Sequence, residues 1–93
     1  MISSLKYLDF IREKDCSVCG QDASPHHMNA VGMGRNRKKE LAEHYSTVPL
    51  CHLHHTDYHK FGHIVFKGKY GVDLWRVATS LLIEYCWSKQ IVV

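Results

Sequence analysis

The sequence predicts a small α+β fold. Three observations predict it. Two short extended segments, Ser24–Met28 and Thr47–Val48, flank a glycine-containing basic stretch. A polar run from about Cys51 to Lys60 reads as a helix directly after the second of them. A closing segment from Leu74 to about Lys89 carries Leu74, Val77, Ala78, Leu81, Leu82, Tyr85 and Cys86, the i, i+3, i+4 stripe of an amphipathic helix. At 93 residues the chain is read as one domain, 1–93, with a core at about 14–62 and the C-terminal helix at about 73–89. No repeat, low-complexity tract or linker divides it.

The elements follow in order. Leu5–Glu13 forms a short helix with Ser3 or Ser4 as its cap. Asp15–Asp22 (DCSVCGQD) is a tight knuckle that turns at Gly20. Ala30–Lys39 is a loop, because its glycines and clustered charges suit no regular element. Glu40–Tyr45 makes one helical turn. Pro49 then restricts Val48 to an extended conformation, which places the second strand. Gly62, Gly68 and Gly71 punctuate a loop or short helix, and Asp73 caps the last helix.

A chain this short buries a modest core, and such domains commonly add a staple. Its four cysteines and eight histidines point to the kind of staple. Met1–Ile11 has charges inside its apolar stretch and does not read as a secretory leader. No apolar run reaches the roughly 18 residues of a membrane span. The expected setting is therefore a reducing cytoplasm without membrane contact, where paired cysteines bind metal rather than each other. Cys16-x-x-Cys19 and Cys51-x-x-His54 supply two donors each, with 31 residues between Cys19 and Cys51. Two such knuckles make one tetrahedral site, and thiolate with imidazole suits Zn²⁺. A redox Cys-x-x-Cys would not need the second knuckle. Cys86 stands alone on the apolar stripe and reads as a small buried hydrophobe.

Four further histidines form a pattern. His55 and His59 are one helical turn apart and project from one face. His54 lies about 100° round the helix from His55 and is left for the zinc. His26 and His27 are neighbours on a strand, so their rings point to opposite sides. One can then bind metal while the other faces substrate. His26, His55 and His59 are the expected ligands of a divalent ion with open positions. His27 is the expected general base, taking a proton from an attacking water. Asp57 or a backbone carbonyl would orient a ring. His44, His52 and His63 read as surface or packing residues.

These residues together resemble the HNH endonucleases. Cys16-x-x-Cys19, His26-His27 and Val48-Pro49-Leu50-Cys51-x-x-His54-His55-x-x-x-His59 carry the resemblance, which runs from about Leu5 to Tyr85. It is specific from Cys16 to His59 and looser elsewhere. The pattern is similar to phage and prophage versions, including the RecA-dependent nuclease Ref family. The His55–His59 pair is similar to the metal-binding pair of the colicin nucleases. The resemblance implies a ββα-metal (His-Me finger) core with structural zinc knuckles, and DNA as substrate. It maps His26, His55 and His59 to metal ligands and His27 to the base. It also implies phage or prophage DNA processing or recombination in a bacterial host, with a RecA-type recombinase filament as a partner. HNH proteins commonly carry an asparagine on the second strand that braces the loop bearing the general base. Here the matching region is Ser46-Thr47, and Ser46 is expected to make that hydrogen bond more weakly.

Three imidazoles favour Zn²⁺, Ni²⁺ or Mn²⁺ by intrinsic preference, while members of the resembled family often work with Mg²⁺. Arg35, Arg37, Lys38 and Lys39 sit in the loop between the two strands and are the expected DNA contacts, with Lys67, Lys69 and Arg76 extending that surface. About four phosphate contacts would give a log–log salt slope of roughly −3.6. No base-reading helix is evident, so low sequence specificity is expected. The alternatives are a non-catalytic zinc module that binds DNA or protein, and a nuclease acting on RNA.

Overall fold

The computed structural model describes residues 3–28 and 38–89. The expected α+β class holds: three helices accompany one two-stranded sheet. Helix α1 (Ser4–Arg12) buries Ser4, Tyr7, Leu8 and Ile11, a single stripe at helical spacing. Ser3 caps it by accepting the Lys6 N–H at 3.3 Å.

The first turn of α1 also captures a distant carboxylate. Glu40 accepts the Ser3 hydroxyl at 2.6 Å, the Ser4 N–H and hydroxyl at 2.5 Å each, and the Leu5 N–H at 3.1 Å. Helix N–H groups that lack intrahelical partners are satisfied by an anion the macrodipole favours. The Ser3 and Ser4 hydroxyls chiefly, and then the backbone N–H groups, lower the Glu40 carboxyl to about 2. The expected helical turn at Glu40–Tyr45 therefore begins later, as a 3₁₀ turn over Ala42–Ser46, because Glu40 is drawn away to α1.

Strands β1 (Ser24–His27) and β2 (Thr47–Leu50) pair antiparallel, with Ser24 opposite Leu50, Pro25 opposite Pro49, His26 opposite Val48 and His27 opposite Thr47. The second strand was expected to stop at Val48, and it continues through Pro49 and Leu50. Pro49 is tolerated because Pro25 and Pro49 form a non-hydrogen-bonded pair, so its nitrogen faces away from β1 and no ladder donor is lost. The Pro49 carbonyl points out of the ladder and accepts the Ser17 N–H and hydroxyl at 2.9 Å each. That contact seats the Asp15–Asp22 knuckle on the sheet. All four β2 residues are buried, whereas in β1 only His26 is.

Helix α2 (His52–Tyr70) starts after its N-cap Cys51 and runs past the expected end near Lys60. Two helical pieces meet at Gly62, whose φ of 79° and ψ of 174° are not helical. The second piece exists because Phe66 is fully buried among Val48, Leu50 and Leu74. Helix α3 (Leu74–Lys89) then crosses the molecule and joins two apolar clusters. Leu74 and Ala78 pack with Cys16, Val48, Leu50 and Phe66. Tyr85 packs edge-on against Tyr7, with centroids 5.0 Å apart, in a cluster with Ile11. Cys86 is half-buried rather than buried, since the stripe rotates off the core toward the helix end. Among the described residues, no helix is long and apolar enough to cross a membrane.

The glycines of α2 differ in kind, and substitution should separate them. The Gly62 backbone lies in a region nearly closed to other residues, whereas Gly68 is helical with open space at its Cβ position. Gly62→Ala should destabilise by about 1–3 kcal/mol. Gly68→Ala should stabilise by roughly 0.5–1 kcal/mol. Denaturant unfolding of the metal-loaded protein measures both.

Candidate metal centres

The first centre is built from two backbone turns. In the knuckle, the Gly20 N–H returns to the Cys16 carbonyl at 3.0 Å and the Cys16 N–H binds the Gln21 carbonyl at 2.8 Å. This turn aims both Cys16 and Cys19 toward the start of α2. There Cys51 occupies the N-cap, and His54 follows one turn later. The donor atoms of Cys16, Cys19, Cys51 and His54 lie within 4.8 Å of one another. The Sγ atoms of Cys19 and Cys51 are 3.7 Å apart, and His54 Nδ1 lies 3.1 Å from Cys51 Sγ and 3.7 Å from Cys16 Sγ. Two thiolates about 2.3 Å from one ion, at the tetrahedral angle, would stand about 3.8 Å apart. The spacing and donor chemistry therefore fit Zn²⁺, and these four residues could hold it.

Burial is graded across the four, with Cys19 exposed and Cys51 half-buried. Cys16 and His54 are buried, and the His54 ring stands edge-on to Tyr70 with centroids 4.8 Å apart. Burial pushes the Cys16 thiol up, yet the N–H groups of Cys51, Cys19 and Val18 prevail and lower it to about 6. A thiol poised this way gives up its proton readily, as a metal ligand must. All four cysteines are free.

The second centre lies on the other side of the start of α2. His26 of β1 is buried, and its ring centroid is 4.5 Å from that of His55 and 5.3 Å from that of His59. Tyr58 closes the same pocket at 5.1 Å from His26. The Nε2 atoms of His55 and His59 are 2.9 Å apart. That matches two nitrogens about 2.0–2.1 Å from one ion at a right angle. One donor atom from each of the three rings fits within 4.8 Å, so this group too could hold a metal ion. Its burial is graded: His26 is buried, His55 half-buried and His59 exposed. Access is therefore from the His59 side. Burial chiefly, then the neighbouring His59 and His52 rings, lower the His55 pKa and favour the neutral ring that ligation requires.

His27 does not join this group. Its Nε2 lies 2.9 Å from His44 Nδ1, and His44 Nε2 lies 2.7 Å from the Lys39 carbonyl oxygen. His44 was expected to be a surface or packing residue. It is instead fully buried and holds the ring next in sequence to a candidate ligand.

A family model matches residues 1–85, which include both centres and the His27–His44 pair. The chain belongs to the DUF968 family, described as "Protein of unknown function". An Escherichia coli K12 protein described as "Uncharacterized protein YdfU" is 33% identical over 70 residues. The match covers 74% of this chain and 19% of YdfU, so the chain spans about a fifth of that relative's length. No solved structure matches this DUF968 chain.

The remaining expected site residues divide. Arg35 and Arg37 lie outside the described residues, while Lys38 and Lys39 are exposed. Ser46 ends the 3₁₀ turn. Its hydroxyl donates to the Glu43 carbonyl at 2.8 Å, and its carbonyl accepts the Met28 N–H at 3.2 Å, which ties the entry of β2 to the end of β1. Asp57 was expected to orient an imidazole. Its carboxylate instead accepts the Tyr70 hydroxyl and lies 3.6 Å from Lys69 Nζ. The Tyr70 hydroxyl first, and then Lys69, hold Asp57 below the usual carboxylate range. Lys67 is paired with Asp73 at 3.6 Å, so Lys67 and Lys69 add little to a basic surface. His52 is exposed, and His63 faces Asp73 at 3.9 Å.

Loss of the first centre should unfold this DUF968 domain, because Cys16 belongs to the same apolar cluster as Val48, Leu50 and Phe66. Chelation of purified protein with a zinc-selective chelator should release tightly bound Zn²⁺ and collapse the helical circular dichroism. Cys51→Ser should copy the effect without chelator. His59→Ala should retain that zinc and the fold.

Proposed function

We propose that this domain is a metal-dependent endonuclease of the HNH (ββα-metal) type, hydrolysing phosphodiester bonds in DNA with low sequence specificity. One observation carries the reading: His26, His55 and His59 converge on one point from β1 and α2, while His27, the next residue, is held apart by a buried partner. A structural site has no use for the fourth ring. The order of two antiparallel strands followed by a helix with paired histidines supports a ββα-metal core. The zinc of Cys16, Cys19, Cys51 and His54 is structural on this reading.

A divalent ion held by His26, His55 and His59 (Mg²⁺, Mn²⁺, Zn²⁺ or Ni²⁺) supplies positive charge to the transferring phosphoryl group and the leaving oxygen when bound. The chain's own residues do the rest. His27 accepts a proton from water as the water oxygen forms its bond to phosphorus. The bond from phosphorus to the leaving oxygen breaks, and solvent protonates that oxygen. His27 then returns its proton to solvent. Buried His26 anchors the site, and exposed His59 marks the side from which DNA enters. Lys38 and Lys39, with Arg35 and Arg37, bind the phosphate backbone. A RecA-type filament is the partner the resemblance adds, and it is tested as an addition to the assay.

Purified protein should nick supercoiled plasmid when Mg²⁺, Mn²⁺, Ni²⁺ or Zn²⁺ is restored after EDTA treatment mild enough to spare the structural zinc. His27→Ala should fold normally and lose about 10²–10⁴-fold in rate, the usual contribution of a general base. No cleavage of duplex or single strands with any metal, with or without a recombinase filament, would favour a non-catalytic zinc module.

A further inference from the structure

We infer that His44 is a positioning residue that fixes the tautomer and ring orientation of His27. The inference rests on the nuclease reading and adds to it a residue that no spacing pattern marks.

The assignment follows from donors and acceptors. A carbonyl oxygen can only accept. His44 Nε2, 2.7 Å from the Lys39 carbonyl, must therefore carry the hydrogen. In a neutral ring the other nitrogen is then bare, so His44 Nδ1 accepts. Its partner at 2.9 Å, His27 Nε2, must be the donor. His27 is thereby held as the Nε2–H tautomer, with its lone pair on Nδ1. The ring is held in one orientation by a hydrogen bond whose donor is its own Nε2–H.

The relay is anchored at both ends. The Lys39 carbonyl immediately precedes Glu40, which the first turn of α1 grips through four hydrogen bonds. The His44 N–H binds the Leu41 carbonyl at 3.1 Å, and the Leu41 N–H binds the Ser4 hydroxyl at 2.9 Å. The His44 carbonyl accepts the Thr47 hydroxyl at 2.8 Å, and Thr47 stands opposite His27 in the sheet. An apolar side chain would fill this fully buried place without needing two polar partners. Both ring nitrogens of His44 are instead engaged, one of them on His27. By this route the N-terminus of α1, far away in sequence, sets the orientation of His27.

Long-range proton–nitrogen correlation spectra of the zinc-loaded full chain test the relay independently of activity. His27 and His44 should both appear as Nε2–H tautomers. His44→Phe keeps a ring and removes both hydrogen bonds. It should leave His27 a mixture of tautomers and lower plasmid-nicking kcat on the order of 10–10²-fold with KM unchanged, part of the 10²–10⁴-fold that a general base supplies. His44→Asn places an oxygen near the Nδ1 position and should restore both the His27 tautomer and most of the rate. A Nδ1–H tautomer of His27 in the wild type, or a His27 spectrum unchanged in His44→Phe, overturns the inference. If His44→Phe does not fold, the wild-type tautomers and the His44→Asn rate still decide it. The stated tautomers in a protein that cleaves nothing would uphold the relay and sink the nuclease reading.

Discussion

Cys16 and Cys19 sit on a turn, Cys51 and His54 on the start of a helix, and the convergence of their donor atoms draws together segments 32 positions apart at Cys19 and Cys51. A two-stranded sheet of four residues per strand is marginal alone. Here the strands lie between those two segments in the chain, so closing the donors on one ion would close the sheet as well. The knuckle then bonds the Pro49 carbonyl, and Cys16 enters the apolar cluster with Val48, Leu50 and Phe66. Packing and ligation thus reinforce each other. Every histidine of the second centre is placed by a segment whose position this closure determines.

The two centres divide the start of α2 between them. His54 turns inward to the cysteines, while His55 and His59 turn outward to His26. Adjacent residues on a helix point about 100° apart, so one helix can serve two sites without sharing a donor. The first set offers three thiols and one imidazole and is exposed at Cys19, and the second offers only imidazoles and is exposed at His59. The two sets differ in donor chemistry: a sulfur-rich set of four suits a filled tetrahedral site, and a set of three nitrogens leaves a position for another ligand. β1 repeats the division, with His26 on the cluster and His27 on His44.

Much of this was legible in the residues. The Cys-x-x-Cys and Cys-x-x-His pairs mark their centre because few chains place donors at those spacings for another reason. His55 and His59 are legible because helical geometry leaves them no choice of face. What was not legible depended on distant contacts. Pro49 reads as a strand terminator, yet it falls in a non-hydrogen-bonded pair, where the ladder needs no donor from it. Gly62 reads as a helix end, yet burial of Phe66 rebuilds the helix beyond it. Glu40 reads as the start of a turn, and only the folded chain brings it to the N-terminus of α1. His44 lies 17 positions from His27 and belongs to no motif.

Cobalt substitution tests most directly the claim that one small fold holds two metal centres of different chemistry. Titration of the metal-free, unfolded chain with Co²⁺ should refold it and fill two sites. One should show thiolate charge-transfer bands and tetrahedral absorption that vanish in Cys51→Ala. The other should lack thiolate bands and vanish in His55→Ala, with the first spectrum intact. A single equivalent of Co²⁺, or loss of both spectra in His55→Ala, would contradict the account.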